Sequence, residues 1–260
     1  MSEPTIGVIG TGHFAAYFIA ALRKGGFEGK VLLSPHNTVK ANALASEHGC
    51  TVAETNEHLI VSADWVLLAI RPGQVDETFR TTSIPSGKQV ISAVAGMTVA
   101  ELEGKLGGAT DIVRIIPASY IEIVADGIIP MFPDSPVVRS VLAKAGTVVA
   151  FDDEGQFDLS MAGSCLSGWM YRFMDSLQDW FVERGYSPEQ ARLVVADNIM
   201  GAAAYAKHNP GRNLGDISDG IATEGTYTKA GLDHLLKEQA SLPWRGALDI
   251  LERKLKQSSD

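Results

Sequence analysis

The opening of the chain constrains the fold more than any other stretch. Thr5, Ile6, Gly7, Val8 and Ile9 form a short, largely apolar run. Gly10, Gly12 and Ala15 follow as G-x-G-x-x-A, and Phe18, Ile19 and Leu22 continue at helical spacing. A buried strand, a tight turn and a helix start are the setting in which this glycine pattern binds a dinucleotide. Gly10 permits the turn, Gly12 lets a pyrophosphate approach the backbone, and Ala15 keeps the helix close to the sheet. The first helical turn offers unpaired N–H groups and a positive dipole end to the anion. Gly-rich turns are common on their own; the strand before this one and the helix after it make it specific. Gly10, Gly12, His13 and Phe14 are therefore the first cofactor-binding candidates.

The same alternation continues to about residue 151. Strand patterns at Lys30–Leu33, Trp65–Ile70, Val90–Ala93, Ile112–Ile116, Gly127–Met131 and Thr147–Phe151 are interleaved with helical patterns at Val39–His48, Thr98–Leu106 and Pro136–Ala145. Such βαβ units build a mainly parallel, doubly wound sheet with helices on both faces. From residue 152 the strand signals stop and long helices take over. Met161, Leu166, Met170, Phe173, Leu177 and Phe181 fall at helical spacing within Leu159–Arg184. Ser187-Pro188-Glu189 reads as a cap with Pro at the first helical position, and Asn209-Pro210-Gly211 ends the helix that follows. A further helical cluster starts near Leu214, and a last helix is expected over Thr228–Lys256, with a break at Pro243. The expected organisation is a dinucleotide-binding domain over 1–151 and an all-α substrate and dimerisation domain over 152–260. Val194–Tyr205 is apolar nearly all round, so it must be covered on several sides, and a homodimer through these helices is the economical way to do so.

Bulk properties exclude several function classes. At 260 residues, with 45% hydrophobic and 20% charged, the chain can bury a full core. A net charge of −9 argues against nonspecific nucleic-acid binding. No stretch reaches about 18 apolar residues, so no membrane span is expected. No signal peptide is visible, and Cys50 and Cys165 stand far apart, which suits a reduced, cytoplasmic setting. No His or Cys spacing suggests a metal site.

The segment after the second strand indicates which coenzyme is used. An NAD site usually has an acidic residue there for the ribose hydroxyls. Leu32-Leu33-Ser34-Pro35-His36-Asn37-Thr38-Val39-Lys40 has none. Ser34, His36, Asn37 and Lys40 could surround a 2′-phosphate, which a carboxylate would repel, so NADP(H) is favoured over NAD(H). An ordinary polar turn leading into a helix would read the same way. Arg71 follows a strand end, where it could reach a phosphate or adenine or simply be solvated. Ala69 and Ala95 are small residues near the same crevice, where close cofactor approach or plain packing would explain them.

Six segments together resemble the pyrroline-5-carboxylate reductase family. They are the opening G-T-G-H-F-A, Ala69-Ile70-Arg71-Pro72, and Ile91-Ser92-Ala93-Val94-Ala95-Gly96-Met97-Thr98. Further along are Val113-Arg114-Ile115-Ile116-Pro117, the stretch Gly163–Phe173, and Ala222-Thr223-Glu224-Gly225-Thr226-Tyr227-Thr228-Lys229-Ala230-Gly231-Leu232. Their order and spacing span nearly the whole chain. The resemblance implies a Rossmann domain, a helical dimerisation domain and NAD(P)H-dependent reduction of a cyclic imine, by default 1-pyrroline-5-carboxylate to proline.

The chain departs from the family pattern mainly at the substrate motifs. Ala118 stands where the family has Asn, Trp169 and Met170 where it has Pro and Ala, and Glu224 and Thr226 where it has Pro and Gly. In the family the last of these loops holds the substrate carboxylate on backbone N–H groups. Here those groups would be on Thr226, Tyr227 and Thr228, with Glu224 bringing a negative charge beside them. Thr228 matches the threonine whose hydroxyl contacts the ring nitrogen and is the catalytic candidate; a plain helix-start role would also explain it. Thr226, Tyr227, Glu224, Trp169 and Tyr171 are the substrate-site candidates, though capping, packing or interface roles fit each of them. Arg114 reads as structural. Reduction of another imino, amino or hydroxy acid, and a non-catalytic NADP(H)-binding sensor, stay open beside the default activity.

Overall fold

The computed structural model describes residues 3–108, 111–124 and 126–258. Among them the elements alternate first, as β1 (Ile6–Ile9), α1 (His13–Lys24), β2 (Val31–Leu33), α2 (Thr38–His48), β3 (Thr51–Val52) and α3 (Asn56–Ser62). Next come β4 (Trp65–Leu68), α4 (Pro72–Thr78), β5 (Gln89–Ser92), α5 (Val99–Leu106), β6 (Asp111–Ile115), β7 (Ile128–Phe132), α6 (Pro136–Leu142) and β8 (Thr147–Ala150). Five helices complete the chain: α7 (Glu154–Val182), α8 (Pro188–His208), α9 (Leu214–Ile221), α10 (Tyr227–Lys237) and α11 (Leu242–Ser258).

The strands form one sheet in the order β3-β2-β1-β4-β5-β6-β7-β8, with β7 antiparallel to β6 and every other pair parallel. The central strands are buried on both faces, as parallel strands under helices must be. Their period of two sorts the core. Ile6, Val8, Leu67, Ile91 and Val113 pack with Phe18 and Leu22 of α1, Leu44 of α2 and Val138 of α6. Ile9, Val66, Leu68, Val90 and Ile112 pack with Leu59 of α3, Val75 of α4 and Leu102 of α5. The expected doubly wound, three-layer half is present. The short β3, α3 and α4 were not foreseen; two to seven residues are too few to show a period.

The chain divides into two compact units, residues 1–164 with 254–260, and residues 165–253. The change of secondary structure falls between Ala150 and Glu154, while α7 runs through the boundary of the first unit into the second. In the helical unit, Trp169 and Phe173 meet Trp244 at ring separations of 6.4 and 5.7 Å. Ser187 caps α8 as expected, its hydroxyl accepting from the Gln190 N–H. The break expected at Pro243 lies earlier. α10 ends at Lys237, Gln239 takes a positive φ, and Pro243 sits in the first turn of α11. A proline there forfeits no helical hydrogen bond, so it starts this helix instead of interrupting one.

At the base of the first unit, the Glu3 carboxylate accepts from the N–H groups of Glu28 and Gly29 at 2.5 and 2.7 Å and pairs with Lys144 at 2.5 Å. The hydrogen bond from Lys144, joined by the two backbone donors, holds the Glu3 carboxyl below its usual range against the opposing effect of burial. A carboxyl with a lowered folded-state value stabilises fully above its unfolded value and loses that contribution as pH falls through the folded one. Glu3→Gln should lower the melting temperature by roughly 2–4 °C at pH 7. In thermal melts between pH 7 and 3, the gap between variant and parent should close below about pH 4.

Candidate functional site

The carboxyl ends of β1, β2, β4 and β5 lie along one edge of the sheet. The order reverses between β1 and β4, since β2 and β3 extend one way and β5 onward the other. Such a switch point leaves a crevice in which ligands of open α/β sheets bind. The turn leaving β1 is packed tightly there. Gly10 has φ +104°, and a Cβ on it would lie 2.4 Å from the Ala69 carbonyl oxygen. Ala69 is itself tied back, its N–H donating to the Ile9 carbonyl at 2.8 Å. No residue other than glycine fits this position.

Gly12 differs from Gly10. Its φ of −81° is ordinary, it is the N-cap of α1, and a Cβ on it would meet nothing within 4 Å. α1 carries no side-chain cap and no acidic residue in its first turn. Its first N–H groups, including those of His13, Phe14 and Ala15, precede the intrahelical ladder and are left for an external acceptor. Neighbouring helices are closed by comparison. Asn37, Thr55 and Thr98 cap α2, α3 and α5 by accepting from Lys40, His58 and Glu101. α4 begins at Pro72, which has no N–H to give. The open helix start and the cleared space beside Gly12 fit a pyrophosphate.

The other cofactor candidates are spread along the same edge. Phe14 is partly buried, stacked on Phe18 at 5.5 Å and edge-on to Tyr17 at 5.3 Å, while His13 is exposed. Ser34 is buried, and its hydroxyl accepts from the Gly10 N–H at 3.0 Å. It therefore serves the glycine turn itself, a role not foreseen from its position after β2. His36, Asn37 and Lys40 are exposed at the start of α2, which has no acidic residue in its first turn, although the Asn37 carbonyl is occupied as a cap. Arg71 is exposed at the start of α4, and Ala95 is exposed in the loop between β5 and α5.

That loop is fixed at both ends. The Ala93 N–H donates to the Leu68 carbonyl at 3.0 Å, and the Ser92 hydroxyl accepts from Val94. At the far end Thr98 and Glu101 form a reciprocal capping box, whose Thr98 donors hold the Glu101 carboxyl below its usual range. The Val99 N–H donates to Glu154 Oε1 at 2.8 Å. The same oxygen accepts from Arg114 Nη1 at 2.6 Å, and Arg114 Nη2 donates to Asp158 Oδ1 at 2.6 Å. Arg114 is 2% exposed and lies over the Phe157 ring, 4.7 Å from its centroid. Its structural reading agrees with this geometry, but Glu154 and Asp158 were missed. Their only sequence signal is two carboxylates one helical turn apart.

In the helical unit, the Thr226 hydroxyl donates to the Thr223 carbonyl at 2.8 Å and accepts from the Lys229 N–H at 3.1 Å, which makes it the cap of α10. Gly225 before it has φ +81°. Tyr227 is fully exposed, and Thr228 and Glu224 are exposed beside it. Lys229 pairs with Asp233, whose hydrogen bond raises the ammonium above its usual range, with a smaller contribution from Glu224. On α7, Trp169 is partly buried against Trp244, whereas Tyr171 is 62% exposed. Among the described residues no helix is long and apolar enough to cross a membrane.

Comparison with known proteins agrees with this layout. Residues 5–96 match the family model described as NADP oxidoreductase, coenzyme F420-dependent, and residues 154–253 match the one described as pyrroline-5-carboxylate reductase dimerisation. Pyrroline-5-carboxylate reductase of Pasteurella multocida is 26% identical over 254 residues, covering 92% of each chain. Among solved structures, the 1-pyrroline-5-carboxylate reductase of Streptococcus pyogenes superposes with a TM-score of 0.85 at 22% identity, over 99% of this chain and 100% of that one. The Plasmodium falciparum pyrroline carboxylate reductase, solved with NADP bound, gives 0.83 at 21% identity over the full length of both. With a nucleotide-type crevice in the first half, a match to the dimerisation model in the second and relatives matched nearly end to end, the chain is similar to pyrroline-5-carboxylate reductases along most of its length.

Proposed function

We propose that this protein reduces 1-pyrroline-5-carboxylate to proline with NADPH. The observation that carries the reading is the uncapped start of α1 behind Gly10 and Gly12, in a chain whose relatives with that activity in their names match over most of their length. NADPH is favoured over NADH because β2 ends without a carboxylate, while His36 and Lys40 stand exposed at the acid-free start of α2.

Reduction of a C=N bond needs a hydride at carbon and a proton at nitrogen, and a reduced nicotinamide supplies the hydride. The chain's own residues then hold and orient the reactants. The first N–H groups of α1 take the pyrophosphate, and Ala69 and Ala95 leave room for the coenzyme to approach. In the helical unit Thr228 offers a hydroxyl to the ring nitrogen, and the backbone of Thr226, Tyr227 and Thr228 offers donors to the substrate carboxylate. In this reading Glu224 balances a positively charged iminium. Trp169 and Tyr171 complete the substrate side. A protonated imine is already electrophilic, so no strong acid is required of the protein and positioning supplies most of the rate.

A homodimer in the cytoplasm belongs to the same reading. α8 buries Ala191 and Val195 but leaves Leu193, Met200 and Tyr205 exposed, an apolar surface that a second copy would cover.

NADPH oxidation followed with a panel of cyclic imines tests the activity. Pyrroline-5-carboxylate should turn over, with a lower KM for NADPH than for NADH; tight NADPH binding without turnover of any imine would refute it. Thr228→Ala should lower kcat about 10–100-fold and leave NADPH affinity unchanged. An unaltered kcat would remove the hydroxyl from the mechanism. Gly12→Ala should keep the melting temperature within about 2 °C of the parent yet raise the NADPH Kd at least about tenfold, because the new methyl meets the ligand and not the protein. Gly10→Ala should lose thermal stability as well as binding, since both its φ and the Ala69 carbonyl oppose a side chain.

A further inference from the structure

Glu154 belongs to the first turn of α7, in sequence far from every residue assigned to the coenzyme above, and yet one of its oxygens closes the loop that carries Ala95. Three facts bear on what it does there. Glu154 Oε1 accepts both from the Val99 N–H, the first of α5, and from Arg114 Nη1. Arg114 cannot swing to another partner, since its second nitrogen is held by Asp158 and its plane lies over Phe157. Residues 93–98, between the Leu68 carbonyl and that Val99 bond, run along the sheet edge one strand beyond Ala69, with Ala95 and Gly96 exposed.

We infer that Glu154, locked by Arg114, is a positioning residue for the β5–α5 loop and, through it, for the bound coenzyme. A carboxylate needed only to neutralise a buried guanidinium would resemble Asp158, which bonds Arg114 alone. Glu154 does more. It brings a charged acceptor to the first N–H of α5, a helix start where an anion is favoured. Because Arg114 presents a rigid planar fork, it fixes that oxygen better than a flexible partner would. The loop's end is thus set by β6 and α7 as well as by the local capping box of Thr98 and Glu101. This rests on the proposed NADPH reading, since the coenzyme is what the loop is positioned to meet.

Two substitutions separate positioning from plain support. Val99→Pro deletes the N–H that Glu154 accepts and leaves both Arg114 ion pairs. Proline suits the first helical position, and Thr98 already has the extended conformation it requires. Asp158→Asn weakens the Arg114 cluster and leaves the Val99 bond. Full-length parent and variants are compared by thermal melting, NADPH titration, steady-state kinetics and amide exchange of residues 94–98 without coenzyme. Val99→Pro should speed loop exchange, raise the NADPH Kd and KM about tenfold and change kcat less than KM. Asp158→Asn, which leaves Arg114 bonded to Glu154 and over the Phe157 ring, should lower the melting temperature and raise the NADPH Kd less than Val99→Pro does. The inference is overturned if Val99→Pro leaves loop exchange and Kd unchanged, or if Asp158→Asn disturbs them equally. A parent that fails to bind NADPH would refute the coenzyme reading alone, and the exchange comparison would still decide whether Glu154 fixes the loop.

Discussion

The buried guanidinium of Arg114 is the interaction on which the layout of the first unit most depends. A cation at 2% exposure in a sheet is tolerable only if paired and hydrogen-bonded. Here the two carboxylates come from successive turns of one helix, and an aromatic ring lies beneath the plane. Removing one partner of such a buried pair costs about 3–5 kcal/mol, whereas an apolar replacement of the whole set is often neutral. The cluster is therefore weak evidence for stability as such. What it supplies is definition. It fixes where β6, the start of α5 and the root of α7 meet, and it does so through directional bonds that apolar packing cannot provide.

The crevice at the sheet edge is built by a complementary principle, the absence of atoms. At Gly10 a side chain would strike the Ala69 carbonyl, so the turn can lie against the neighbouring strand only because there is none. At Gly12 nothing in the protein would object to a side chain, so the space beside the start of α1 is open. Ser34 joins the two features by occupying the Gly10 N–H, which leaves the α1 donors as the free ones. A helix start stripped of caps among capped neighbours is costly for folding and favourable for binding an anion.

The helical unit holds its most exposed side chains on a locally fixed frame. Thr226 caps α10, so the loop's conformation is maintained by a local bond. Around that frame, the exposed Glu224 and the fully exposed Tyr227 alter charge and shape without disturbing the helix. Trp169 is accommodated by tilted packing against Trp244.

The sequence alone was enough for the strand–turn–helix opening, the division into an alternating and a helical half, the cap of α8 and the six segments of family resemblance. All of these are short-range patterns, set by a period of two or 3.6 residues or by a side chain reaching its own helix end. Tertiary structure decided the rest. The partners of Arg114 lie 40 and 44 residues away, the acceptor for the Gly10 N–H lies 24 away, and β7 runs against its neighbour in an otherwise parallel sheet. None of these follows from spacing, because a hydrogen bond across the fold depends on which elements the hydrophobic faces bring together, and that is settled by the packing of the whole core.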